Sequence, residues 1–210
     1  MWTDIIMVLL VLTNMIVLGT SRLSACIRVV ATQGVALGIL PLLIYHFEPQ
    51  LLVFAILSST LKGIVFPVML LRTLRYLNVW REEAPYVGYG MSILTGPIAL
   101  AFSYWLGTKL PLPFISHSQM PIPVALFTLI TGLFIIVSRK KALTQVLGYL
   151  VLENGIYAFG MAIANQQPLL VELAILLDVF VAIFVMGIAI FHINQEFEHI
   201  DVDRLNKLKD

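Results

Sequence analysis

Lys62, Glu153 and Asp178 each lie near the centre of a long apolar run, at about residues 50–71, 142–164 and 168–193. A Lys or Asp at the centre of a membrane helix costs roughly 2.5 to 3.5 kcal/mol on insertion scales, so such residues face protein or water and default to function. Burial disfavours the charged form of acids and bases alike, which is the condition for reversible proton exchange. The chemistry these residue types allow is therefore proton transfer, with Glu153 and Asp178 as carriers and Lys62 tuning them. The alternative is a clamp, in which Lys62 pairs with Glu153 or Asp178 and fastens its helix to the others.

The neighbours extend this reading. Tyr149 and Tyr157 stand at i−4 and i+4 from Glu153, with Gly160 at i+7 on the same face. Two phenols and a small residue can hold water beside a carboxylate, and can equally cover a helix contact. Ala174, Ile175, Val181 and Ala182 surround Asp178 and suit close helix packing. Ser58, at i−4 from Lys62, is placed to accept its hydrogen bond. Glu172, four residues after Pro168, reads as an interfacial carboxylate, and His192 as an interfacial imidazole or a proton exit group. Glu48, beside Pro49, reads as a loop carboxylate.

No nucleophile and base, metal cluster or phosphate loop is legible, so no enzyme active site is expected in this chain alone. The single cysteine, Cys26, excludes an internal disulfide and cannot by itself hold an iron–sulfur cluster or a structural zinc. Redox chemistry belongs on other subunits. A formal net charge of +1 offers no basic field for nucleic acid.

The elements that must position these residues follow from composition. Of the 210 residues 60% are hydrophobic and 12% charged, against roughly 25% charged in an ordinary soluble domain. Runs of about 20 apolar residues suffice to cross a hydrocarbon core about 30 Å thick. They occur at about residues 4–20, 28–46, 50–71, 87–107, 119–138, 142–164 and 168–193. The fold expected is all-α, a polytopic membrane protein with about seven spans. The N-terminus lacks the basic stretch of a signal peptide, so the first span is expected to remain attached.

Short turns at Ser21–Ser24, His46–Pro49 and Asn165–Pro168 make successive helices antiparallel. Arg22, Arg28, Arg72, Arg75, Arg81, Arg139, Lys140, Lys141, Arg204, Lys207 and Lys209 then fall on one side, with Lys109 alone opposite. The excess of basic loops places that side in the cytoplasm, giving an N-out, C-in, multi-pass protein of the cytoplasmic membrane. The Arg139–Lys141 cluster is most simply a topology determinant. The proline-rich stretch between Leu110 and Pro123 divides the chain into a four-helix part, 1–108, an outer loop, 109–118, and a three-helix part, 119–194. A cytoplasmic tail, 195–210, follows. Pro41, Pro67 and Pro97 lie inside spans, where each can kink a helix.

Two segments carry a resemblance. Gly148-Tyr149-Leu150-Val151-Leu152-Glu153-Asn154-Gly155-Ile156-Tyr157, followed by Glu172 through Asp178 to Ala182, resembles the membrane component E of hydrogenase-4 and formate hydrogenlyase-type complexes. Length and seven-helix layout are similar as well. The three-helix part resembles the K subunit of respiratory complex I and the C subunit of multi-subunit sodium/proton antiporters. There a basic loop precedes a helix with a mid-membrane glutamate, and the next helix carries a second acid. Arg139–Lys141, Glu153 and Asp178 fill those places, although Asp178 stands where the K subunit usually has glutamate. The interval is also shorter, which leaves Glu172 as the other candidate. Lys62 has no counterpart in the three-helix relatives.

The resemblance implies a non-redox membrane-arm subunit of a hydrogenase-type complex that passes protons laterally. It implies no cofactor in this chain, with a nickel–iron centre and iron–sulfur clusters on partner subunits. The partners implied are antiporter-like large membrane subunits, a quinone-subunit-like anchor and peripheral hydrogenase subunits, all within membrane lipid. Two alternatives stay open: a C-type subunit of a sodium/proton antiporter, and a purely structural scaffold. A retinal-type receptor is disfavoured, because the last span has no lysine.

Overall fold

The computed structural model describes residues 2–44, 49–76, 80–82, 85–110, 120–163 and 187. Seven α-helices and one π-helical turn make up these residues: α1 (Trp2–Gly19), α2 (Leu23–Ile44), α3 (Pro49–Thr60), the π turn (Leu61–Val65), α4 (Phe66–Tyr76), α5 (Tyr89–Lys109), α6 (Pro121–Ser138) and α7 (Ala142–Ile163). No strand occurs among the described residues beyond an isolated bridge between Arg22 and Arg81.

Among the described residues, five helical segments are long and apolar enough to cross a membrane: Trp2–Gly19, Leu23–Leu43, Ala55–Tyr76, Pro121–Ser138 and Ala142–Ile163. Helix α5 has the length but is diluted by Ser92, Thr95, Ser103, Thr108 and Lys109. The seventh expected span, 168–193, lies outside the described residues, as do most of the 109–118 loop and the 195–210 tail. The described residues are thus all-helical and multi-pass, with five clear spans against the seven expected.

Helices α3 and α4 form one span interrupted by the π turn, and Pro67 explains the interruption. A proline inside a helix cannot donate to the carbonyl four residues back and collides with it. The chain widens instead: the Phe66 N–H bonds to the Leu61 carbonyl, five residues back. Lys62 lies in that widened turn and is buried.

Helices α6 and α7 pack most closely, with α1 and α2 against them; α3 and α4 pack on α2, and α5 on α1 and α6. Lipid tails are as apolar as leucine, so association rests on tight packing rather than on a hydrophobic force. Gly132, Gly148 and Gly155 supply it. A Cβ on Gly155 would stand 2.6 Å from the Leu129 backbone nitrogen, and one on Gly148 would stand 3.0 Å from the Gly132 carbonyl oxygen.

The basic loops converge at one end of the bundle. Leu23 N–H donates to the Trp80 carbonyl, Glu82 N–H to Ser21 and Tyr86 N–H to Ser138. Glu82 is buried there and caps α7: its Oε1 accepts from the Lys140 and Lys141 amides at 3.1 and 3.3 Å, and its Oε2 from the Thr144 hydroxyl at 2.6 Å. A carboxylate on the orphan amides of a helix start satisfies donors and complements the helix dipole.

Arg139 is more than a solvated topology charge, being only 2% exposed. Its guanidinium donates to the Leu18 carbonyl at 3.1 Å, to the Val87 carbonyl at 3.2 Å and to the Ser92 hydroxyl at 3.4 Å. It also stacks over the Tyr89 ring, 4.3 Å from its centroid. One side chain thereby ties the end of α1 and the start of α5 to the α6–α7 turn.

Candidate functional site

Lys62 and Glu153 meet inside the bundle. Lys62 Nζ lies 2.5 Å from Glu153 Oε1, with side chains 5% and 3% exposed. Lys62 also donates to Asn154 Oδ1 at 3.5 Å and sits over the Tyr157 ring, 5.4 Å from its centroid. Of the two partners expected for Lys62, the structure brings Glu153; Asp178 lies outside the described residues, as do Glu172, His192 and Glu48.

Each element contributes for a local reason. The π turn carries Lys62, and Gly34 of α2 lets its stem pass: a Cβ on Gly34 would stand 2.5 Å from Lys62 Cβ. The long side chain therefore runs over the α2 backbone to reach α7. Glu153 and Tyr157, one turn apart on α7, face it. Tyr149, one turn the other way, is half-buried and packs against the apolar cluster nearer the basic loops. Ser58 is buried one turn before Lys62. A small cavity of about 10 Å³ adjoins Lys62, bordered also by Val30, Ala31, Phe66, Leu150 and Asn154 among others.

The pair belongs to a transverse polar layer. One apolar cluster, toward the basic loops, includes Val17, Leu18, Cys26, Ile27, Val30, Leu70, Ile135, Leu147 and Val151. A second, toward the other end, includes Met7, Leu10, Leu37, Leu40, Val124, Ala125, Tyr157 and Ala158. Between them on α1, α2, α6 and α7 lie buried polar residues: Thr13 and Asn14 on α1, Gln33 on α2, Thr128 and Thr131 on α6, and Glu153 and Asn154 on α7. Gln33 Nε2 donates to Thr13 Oγ1 and to Asn14 Oδ1, both at 2.8 Å, and Asn14 Nδ2 donates to Thr128 Oγ1 at 2.8 Å.

Charge singled out Lys62 and Glu153 in the sequence, but not Asn154, Gln33, Asn14, Thr128 or Gly34. The available signal was an amide in the middle of an apolar run. No group of three or more His, Cys, Asp or Glu side chains able to hold a metal occurs among the described residues.

Residues 120–210 match the family model for NADH-ubiquinone/plastoquinone oxidoreductase chain 4L. Hydrogenase-4 component E of Escherichia coli K12 is 27% identical over 160 residues, 76% of this chain and 74% of that one. The uncharacterized protein Rv0085 of Mycobacterium tuberculosis is 31% identical over 206 residues, 96% of this chain and 93% of that one. The chain belongs to one family with Rv0085 and is similar to hydrogenase-4 component E. Its similarity to chain 4L covers α6, α7 and the residues beyond, and so includes Glu153 but not Lys62. No solved structure matches.

Proposed function

We propose that this chain is a non-redox membrane subunit of a hydrogenase-4-type or related energy-converting complex, and that it conducts protons laterally through Glu153, Lys62 and Asp178. Similarity to hydrogenase-4 component E supports the complex; the buried Lys62–Glu153 pair, 2.5 Å apart, supports the proton path. The same reading places α5 and residues 168–193 in the membrane as the fourth and seventh spans, with the N-terminus outside and the C-terminus inside. Its partners would be antiporter-like large membrane subunits, a quinone-subunit-like anchor and peripheral hydrogenase subunits, which would hold the nickel–iron and iron–sulfur centres.

The geometry suits the task. One proton can reside on Nζ or on a Glu153 oxygen, giving an ammonium–carboxylate pair or a neutral amine beside a carboxylic acid. Asn154 Oδ1 accepts from the lysine, so Nζ retains a second partner when Glu153 takes a proton from outside the pair. Release toward Asp178 would restore the ion pair. Tyr149, Glu172 and His192 would be accessory groups along or at the ends of this route.

Glu153→Gln in the assembled complex is the test. It keeps the shape and removes the titratable proton. The expected result, per complex that assembles, is a normal electron-transfer rate with proton translocation per electron down at least about tenfold. Normal assembly with normal translocation would reject the relay and leave a clamp.

A further inference from the structure

Gln33 is 0% exposed, and its two polar atoms are treated differently by the protein. The amide nitrogen donates to Thr13 and Asn14, whereas Oε1 has no hydrogen-bond partner among the described residues. A carboxamide oxygen can only accept, and leaving it dry in an apolar interior costs as much as a lost hydrogen bond or more. The hydroxyl donors around it are directed elsewhere, Thr128 to the Val124 carbonyl and Thr13 to the Leu9 and Leu10 carbonyls, and Asn14 Nδ2 gives one of its two protons to Thr128. A water molecule is the donor that fits such a site, since buried waters typically join about three otherwise unsatisfied polar groups.

Thr131, one turn from Thr128 along α6, is likewise 1% exposed with a hydroxyl that has no partner among the described residues, and it borders a separate cavity against α5 with Thr95 and Phe102. At the other end of the layer, the cavity bordered by Lys62 and Asn154 measures about 10 Å³, close to the room a single water needs. It is also bordered by Val30 and Ala31, within one turn of Gln33 on α2.

We propose that Gln33 Oε1 binds an internal water, and that Thr128, Asn14, Gln33 and this water form a hydrated branch of the polar layer leading to the Lys62–Glu153 pair from α1 and α6. The N-terminal helices then supply a path of their own rather than only enclosing α6 and α7. Protons move on water alone, each water receiving one on one side and giving another up on the other, while the carboxamides of Asn14 and Gln33 exchange no proton and hold the water in place. The role in proton supply rests on the function proposed above; the water site does not.

Two measurements on the intact complex test this. A cryo-EM map sharp enough to show ordered water is expected to carry a density about 3 Å from Gln33 Oε1, lost in Gln33→Leu; a dry oxygen in the wild-type map overturns the water site. Gln33→Leu is expected to cut proton translocation per electron at least threefold at an unchanged electron-transfer rate, with a larger solvent deuterium effect on translocation than wild type. A coupled Gln33→Leu complex beside an uncoupled Glu153→Gln complex overturns the branch and leaves the relay standing. Full coupling in both rejects the relay itself. Should Gln33→Leu fail to assemble, the wild-type density decides the water site and Gln33→Met the branch.

Discussion

At the scale of the residue, the Lys62–Glu153 pair makes each partner a requirement of the other. Both side chains are almost wholly excluded from solvent. Removing one partner of a buried pair typically costs about 3 to 5 kcal/mol because a lone charge is left, whereas replacing both by apolar groups is often neutral or stabilising. Lys62→Met alone is expected to lower the amount of chain found in the membrane several-fold. Lys62→Met combined with Glu153→Met should restore most of it without restoring proton translocation. Quantitative immunoblotting of membranes measures the first effect, and a double mutant no more abundant than the single would show that the pair adds nothing to assembly. The sequence disclosed these two residues because a charge in an apolar run is conspicuous. It did not disclose Asn154, Gln33 or Asn14, since uncharged amides are tolerated in membrane helices and become a layer only when helices distant in the chain align them. Arg139 and Glu82 were hidden for the opposite reason. They lie among loop charges that a count of basic residues treats as solvated, whereas the folded chain buries both.

At the scale of the element, the site depends on two departures from a plain apolar helix. The π turn at Leu61–Val65 aims Lys62, and Gly34 opens the way over α2. Pro67 made an irregularity legible in the sequence, although not that it would widen the preceding turn rather than kink the helix. Gly34 gave no signal, because its importance lies in what crosses it. A valine at Gly34 would occupy the space of the Lys62 stem. Gly34→Val is therefore expected to abolish proton translocation as fully as Glu153→Gln does, despite leaving every titratable group in place. Gly88→Ala, where an added Cβ meets nothing within 4 Å, is the matched control and should behave as wild type. Translocation within about twofold of wild type in Gly34→Val would show that Lys62 reaches Glu153 by another route.

At the scale of the whole molecule, the helices were legible because apolar runs and turn residues alternate cleanly. The pairing of helices was not, since packing depends on glycines and on single side chains such as Arg139. Orientation joins both kinds of information. The loops around Arg22, Arg81 and Arg139 converge at one end of the bundle, held by backbone bonds between Leu23 and Trp80 and between Tyr86 and Ser138. Met120, at the start of α6, marks the opposite end of that helix. An excess of Arg and Lys marks the cytoplasmic side, so the converged end should face inward. The chain's single cysteine, Cys26, is buried and can be replaced by alanine to give a background for labelling. On that background Lys140→Cys, an exposed position, should react with a membrane-impermeant maleimide only in inside-out vesicles. Met120→Cys, also exposed, should react only in intact cells with a permeabilised outer envelope. The reverse pattern would invert the topology and place the basic end outside. Labelling of both positions from one side would mean that α6 does not cross, and the Lys62–Glu153 layer would then no longer lie at mid-membrane depth.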